Sequence, residues 1–327
     1  MSHSNISIFI PHLGCPFNCI FCDQYKITGS DSIITPSTVY ATLEESLKNF
    51  SKPTNDAQIA FFGGSFTAID KDLMIEYLSV ANQFIGKNGY DSIRISTRPD
   101  CIDEEILKIL KMYNVKTIEL GIQSLDDDVL KAAKRGHTVS QSLKSCKLIQ
   151  EHGFELGMQM MCGLPEDTED KDIATAKQII ELGCKQVRIY PVVVIAVTYL
   201  EKMYNEGAYT PLELEKAVSI CAKLYKMFTD NNVTILKMGL HTASNNVAGP
   251  FHPAFGELVR SEAFYNELTS NLEHGRKYTV EVSPNFISIA NGNSKRNLNR
   301  LKENNYCVSI VQNSTLTSNE YKIKTSE

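Results

Sequence analysis

Six short apolar, β-branched runs recur in the first part of the chain, at 6–10, 58–62, 92–96, 116–122, 155–161 and 185–190. Helical periodicities lie between them, as in Val39, Leu43, Leu47 and Phe50, or Leu73, Tyr77, Ala81 and Phe84. A chain that alternates in this way comes back to the same end of its sheet after each helix, so its strands pair in parallel. Six such units fall short of the eight that close a barrel. Residues that do chemistry are expected in the loops that follow the strands.

The pattern reads as α/β, a partial (β/α)6 TIM-like barrel with a small α+β C-terminal extension. Leu214, Val218, Cys221, Tyr225 and Phe228 mark a further helix, followed by the apolar run 233–236, and the stretch 239–256 breaks the pattern. Beyond it come a helix near 257–272 and strand-like runs at 278–282, 286–290 and 307–311. The last dozen residues are expected to fray. These readings give a core barrel at 1–240 and an extension at 241–327 packed on it.

Of the 327 residues, 43% are hydrophobic, enough for a substantial core. The net charge of −5 supplies no global field for nucleic acid, although Lys295, Arg296, Arg300 and Lys302 form a local basic run. No stretch approaches the roughly 20 apolar residues that span a bilayer. The polar start at 1–5 lacks the regions of a signal peptide. A cytoplasmic protein without a membrane partner is expected. Nine cysteines, an odd count with six scattered singly, agree with reduced thiols.

The other three cysteines are clustered. Cys15, Cys19 and Cys22 stand in Cys-x3-Cys-x2-Cys spacing directly after the first run. Three thiolates on one short loop can wrap one side of an iron–sulfur cubane and leave its fourth iron without a protein ligand. Two other readings compete. His12 completes a Cys3His set for structural zinc. An electron-transfer cluster would need a fourth cysteine, and the next, Cys101, is remote.

With Phe21 before its last cysteine, this motif resembles the radical S-adenosylmethionine (SAM) superfamily. Phe61-Phe62-Gly63-Gly64-Ser65-Phe66 is similar to the Gly-Gly motif that the family carries at the SAM methionine. The segments Ser96-Thr97-Arg98-Pro99-Asp100, Glu119 to Leu125 and Arg135-Gly136-His137-Thr138 resemble the radical SAM domain of the Elongator catalytic subunit, and more distantly oxygen-independent coproporphyrinogen oxidase. The resemblance implies a 4Fe-4S cluster on Cys15, Cys19 and Cys22. It also implies SAM contacts from Gly63, Gly64, Ser65 and Ser96, a ribose contact from Gln123, and a carboxylate contact from Arg135. Gln159, in Gly157-Met158-Gln159-Met160-Met161-Cys162-Gly163, is a further candidate. Tyr190, His241 and His252 are candidates for the substrate side. The likeness runs over about residues 6–260.

The chain departs from these relatives in places. Ser65 stands where many carry an acidic residue, Ser96 where Elongator-type domains carry Glu, and Ala196-Val197 where a basic-plus-glycine pair is common. No Arg-x-x-Gly-x-Gly loop occurs, and too little chain follows the shared region for an acetyltransferase domain, so acetyl-CoA-dependent carboxymethylation is not expected. The leading expectation is an enzyme that cleaves SAM to a 5'-deoxyadenosyl radical, served by a reductant such as ferredoxin or flavodoxin, with a tRNA base as a possible substrate. A small metabolite or tetrapyrrole is the enzymatic alternative. A non-catalytic iron–sulfur or zinc scaffold is the alternative of another class.

Overall fold

The computed structural model describes residues 4–10, 15–23, 34–49, 57–86, 89–240 and 245–326. All six expected runs form strands: β1 (Ser4–Ile10), β2 (Ala57–Gly63), β3 (Ser92–Thr97), β4 (Val115–Gln123), β5 (Glu155–Cys162) and β6 (Gln186–Pro191). After the short β7 (Val194–Ile195), a seventh parallel strand, β8 (Thr234–Met238), pairs with β6. The sheet order is β1-β2-β3-β4-β5-β6-β8, parallel throughout. A three-residue strand, β9 (Asn246–Ala248), runs antiparallel to β7.

Side chains alternate strictly across this sheet, as the two-residue period of a strand requires. One face carries Ile59, Phe61, Ile93, Ile95, Ile118, Leu120, Met158, Met160, Val187 and Ile189, all fully buried. Each such side chain contributes roughly 1.5–3 kcal/mol by leaving water. The other face carries Gln58, Phe62, Arg94, Ser96, Glu119, Gln159, Arg188 and Tyr190. Contacts across this second face show that the sheet curls. Arg94 on β3 donates to Gln186, three strands away, and the Arg188 guanidinium lies 4.9 Å from the Phe62 ring centroid, four strands away. In a flat sheet, four strand spacings would separate them by about 19 Å. The polar face therefore lines the concave side of a half-barrel.

The connecting helices are α1 (Pro36–Asn49), α2 (Lys71–Asn82), α3 (Glu104–Met112), α4 (Asp127–Ala132), α5 (Val139–Glu151), α6 (Glu169–Glu181) and α7 (Tyr199–Asn205). Asp70, Asp103, Asp126, Thr138 and Thr168 each cap the helix that follows by accepting from its first-turn N–H groups. A cap of this kind is worth about 1 kcal/mol, so the turn from loop into helix is set locally, close to each strand's functional end.

By their contacts, the residues fall into two units, Met1–Leu212 with Phe228–Phe251, and Glu213–Met227 with His252–Glu327. The helix α8 (Leu214–Asp230) contributes to both. The second unit contains α9 (Phe255–Ser270), β10 (Lys277–Val282), α10 (Ile287–Asn291), α11 (Arg296–Glu303), β11 (Cys307–Gln312) and β12 (Tyr321–Ser326). Its sheet runs β11-β10-β12, with β11 parallel and β12 antiparallel to β10. Phe264, Leu268, Val280, Val282 and Leu301 form its core.

Two expectations are corrected here. The run 286–290 is not a strand, because Phe286, Ile289 and Ala290 bury at helical spacing and Ile287–Asn291 form α10, with Phe286 at its N-cap position. The described residues near the end of the chain, 321–326, do not fray. Tyr321 and Ile323 pack on the second unit's core while β12 pairs with β10 along its length. Among the described residues, no helix is long and apolar enough to cross a membrane.

Candidate functional site

The cysteine loop follows β1, and its buried Ile20 holds it in place. The Ile20 N–H donates to the Ala133 carbonyl at 3.3 Å, and its own carbonyl accepts from the Leu200 N–H at 2.8 Å. The side chain packs among Val129, Ala133, Val192 and Leu200. With Ile20 turned inward, Cys15, Cys19 and Cys22 remain partly exposed. A bond of 3.2 Å from the Cys22 N–H to the Cys19 carbonyl folds the last two cysteines toward each other. Phe17 lies against Gly136, where a Cβ would come within 2.5 Å of its ring. That contact explains the glycine in Arg135-Gly136-His137.

Two buried arginines flank the thiols. Arg135 Nη1 donates to Cys19 Sγ at 3.0 Å, and its Nη2 donates to the Gly121 carbonyl at 2.5 Å. Arg98 grips Asp100 through Nε at 2.9 Å and Nη2 at 3.0 Å, donates to the Arg135 carbonyl, and stacks over Phe17 at 5.1 Å. Burial pushes the Cys15 thiol up, while the Ser65 N–H, Arg98 and Arg135 pull it down. Cys22 is pushed far up, first by burial and then by its two cysteine neighbours, with Arg135 opposing. The neighbouring sulfurs thus add to burial in opposing ionisation of Cys15 and Cys22, and the loop favours a cationic partner.

The paired glycines join the cysteine loop to the sheet. Gly63 has φ of 114°, and a Cβ there would lie 2.7 Å from the Ile10 carbonyl oxygen. The Gly64 N–H donates to that same oxygen at 2.8 Å. Glycine at 63 is therefore required by the approach of β1. Ser65 turns its hydroxyl inward, 2.8 Å from Thr97 Oγ1 and 3.3 Å from the Arg98 N–H. Its own N–H faces Cys15.

Gln123 ends β4 with φ of 63° at a register shift, and its Oε1 accepts from Gln159 Nε2 at 3.2 Å. The Gln123 amide also approaches Gly121, which accepts from Arg135. Gln159, Gln123, Arg135 and Cys19 therefore form one contiguous chain, and Ser65, Arg98 and Arg135 form a second that reaches Cys15. Ser96 belongs to neither. Its buried Oγ has no partner among the described residues, a condition it shares with Arg98 Nη1 and Arg135 Nε. Buried polar atoms are ordinarily satisfied, so such a concentration marks a place built for something else to bind.

Arg98, Asp100 and His137 join the site in three dimensions without being candidates from the sequence, although each stands in a motif of the resemblance. Tyr190 lies on the concave face beside Arg188. His252 Nδ1 accepts from the Ala254 N–H at 3.0 Å and lines a cavity of about 490 Å³ in the second unit with Glu215, Arg296 and Arg300. His12, the zinc candidate, and His241 lie outside the described residues.

Comparison with known proteins follows the same residues. Residues 9–179 match the Radical SAM superfamily model, and 184–264 match the Radical_SAM C-terminal domain. The chain is 26% identical over 244 residues to a tRNA uridine(34) acetyltransferase of Dehalococcoides mccartyi, covering 63% of this chain and 52% of that one. An uncharacterized protein of Methanocaldococcus jannaschii is 30% identical over 221 residues, covering 64% of this chain and 67% of that one. The chain thus spans about half the length of the Dehalococcoides relative, and 36% of an acetyltransferase from M. jannaschii. Among solved structures, archaeal Elp3 from Methanocaldococcus infernus superposes with a TM-score of 0.61 at 19% identity, over 85% of this chain and 71% of that one. Coproporphyrinogen III oxidase from Escherichia coli gives 0.51 at 16% identity, over 70% and 52%. These likenesses show a shared fold, and the family match covers more than half of the sequence. The chain belongs to the radical SAM superfamily of enzymes.

Proposed function

We propose that this enzyme holds a 4Fe-4S cluster on Cys15, Cys19 and Cys22 and cleaves SAM beside it. When bound, that pair supplies one-electron cleavage of the sulfonium and a 5'-deoxyadenosyl radical. The observation that carries the reading is the cysteine loop itself: Cys15 and Cys22 are pushed up by burial and by their cysteine neighbours, with Arg135 on Cys19 and Arg98 and the Ser65 N–H acting on Cys15. A cationic iron core fits this donor set, because it offsets the burial and the repulsion that push Cys15 and Cys22 up.

The chain's own residues then bind and orient. Arg135 has a free buried Nε among the described residues and is placed to take a carboxylate as well as to steady Cys19. The orphan Ser96 Oγ and the Gln123–Gln159 amide pair suit ribose hydroxyls. Gly63 and Gly64 keep the β2 loop close to β1, so the backbone offers N–H groups without side-chain bulk. The concave face keeps reactive species away from bulk water. A reductant such as ferredoxin or flavodoxin completes the system. The acetyltransferase relatives, of which this chain matches about half or less, support a tRNA base, whereas the charges of the concave face described below favour the alternative, a small metabolite.

Anaerobic reconstitution tests the reading. The wild-type chain is expected to bind about four irons and to form 5'-deoxyadenosine with dithionite and SAM. Single Cys→Ala changes at 15, 19 and 22 should abolish both. Deoxyadenosine from any of these variants, or one zinc in place of iron, would overturn it.

A further inference from the structure

The concave face carries more positive charge than the cysteine site uses. Arg188 and Lys237 are register partners across β6 and β8, so their side chains leave the sheet on the same side. Arg188 Nε lies 2.8 Å from Glu119 Oε1 and 3.0 Å from Oε2. The same carboxylate takes Arg94 Nη1 at 3.3 Å, so one anion serves two guanidiniums. Arg94 is fully buried and finishes its bonding on Gln58 and Gln186. Arg188 is not closed in this way. Besides Glu119, its polar neighbour is Tyr190, and its orientation is fixed by the Phe62 ring beneath it.

The Lys237 ammonium has no ion pair and no hydrogen bond among the described residues, and the neighbour that acts on its charge is Arg188. Burial and that guanidinium hold its ammonium below the usual lysine range. A purely structural network accounts for Arg94 and Glu119, which satisfy each other out of contact with water. It does not account for a second cation set beside Arg188 with no counter-charge among the described residues, since an apolar side chain would fill the position without repulsion.

We propose that Arg188 and Lys237 form an anion-binding site inside the half-barrel, which holds a carboxylate or phosphate group of a small-molecule substrate. The assignment rests on reading the concavity as the substrate chamber of the radical enzyme. Depth favours a small molecule. The Arg188 guanidinium is the deeper end of the site, three residues or about 10 Å along the strand before β6 ends, and Lys237, one residue before the end of β8, is the shallower. A compact ligand can enter with its anionic end first, whereas the phosphates of a polynucleotide would run along the rim.

The test uses inorganic phosphate and malonate as probes, titrated calorimetrically into the full-length chain. Saturable binding is expected in the wild type, at least tenfold weaker in Lys237→Met and Arg188→Met. Lys237→Arg, which keeps the charge, should retain it, as should Lys108→Met on the exposed face of α3. Thermal melts establish that each variant is folded, and the Lys237→Arg result guards against a general loss of structure. No binding to the wild type, or equal binding to Lys237→Met, overturns the site. Competition by a stem-loop RNA that Lys237→Met abolishes would replace the small molecule with a polynucleotide and overturn the assignment. Deoxyadenosine formation by the wild type is scored separately. Its absence alongside Lys237-dependent phosphate binding sinks the radical reading and leaves the anion site standing.

Discussion

At the scale of single residues, the cysteine region is governed by close approach and by charge. Gly63 has both a left-handed backbone and the Ile10 carbonyl 2.7 Å from any added Cβ. Gly63→Ala should therefore cost more than an ordinary Gly→Ala change, roughly 2 kcal/mol or above. A urea midpoint within error of the wild type would contradict this. His137 makes a second prediction. Burial, then Arg135 and Arg98, depress its imidazole to about 4, against an opposing contribution from Asp100 3.9 Å away. The unfolded chain, with an ordinary histidine near 6.5, binds the proton first as pH falls. Stability contributed by neutral His137 is thus intact above that value and declines between about 6.5 and 4, at about 1.4 kcal/mol per pH unit. His137→Gln should flatten that part of the stability–pH curve relative to wild type. Parallel curves would show that His137 takes up no extra proton on unfolding.

At the scale of elements, β12 decides whether the second unit's sheet is complete. It supplies one of the two neighbours of β10, and Tyr321 and Ile323 cover the core beneath. Tyr321 also bonds Glu267 at 2.7 Å. Ending the chain after Glu320 should expose the β10 edge, and hydrogen exchange of the β10 amides should accelerate by more than tenfold while β2 and β3 keep their protection. Unchanged β10 protection would mean that β11 alone holds the strand. The alternation Tyr321, Lys322, Ile323, Lys324 announces this strand, but a charged chain end reads as a loose tail. The six barrel strands were legible because each is apolar and separated by a capped helix. The run at 286–290 was not, since five residues do not distinguish a period of 2 from one of 3.6. The cysteine motif was visible from spacing alone, and so was the Gly-Gly turn. The contact of Arg135 with Cys19 and the role of Arg98 depend on loops that meet only in three dimensions. Arg94, Glu119 and Arg188 left a subtler trace, as single charges set between β-branched or aliphatic neighbours in strands that are otherwise buried.

At the scale of the whole barrel, that trace becomes the organising feature of the concave face. Glu119 on β4 receives Arg94 from β3 and Arg188 from β6, so one carboxylate ties together strands that a flat sheet would hold apart. The side chains of Arg94 and Glu119 are 0% and 3% exposed, which makes desolvation the dominant cost of losing either partner. Glu119→Gln keeps the shape and removes the charge, leaving a buried guanidinium uncompensated, and should destabilise the protein by roughly 3–5 kcal/mol. Removing the stranded cation as well, in Glu119→Gln with Arg94→Met, should recover part of that loss, because replacing both members of a buried pair is far less costly than breaking it. Denaturant unfolding followed by far-UV circular dichroism measures both. A single substitution that costs under 1 kcal/mol, or a double variant less stable than the single, would show that the curl of the sheet is held by its apolar face alone.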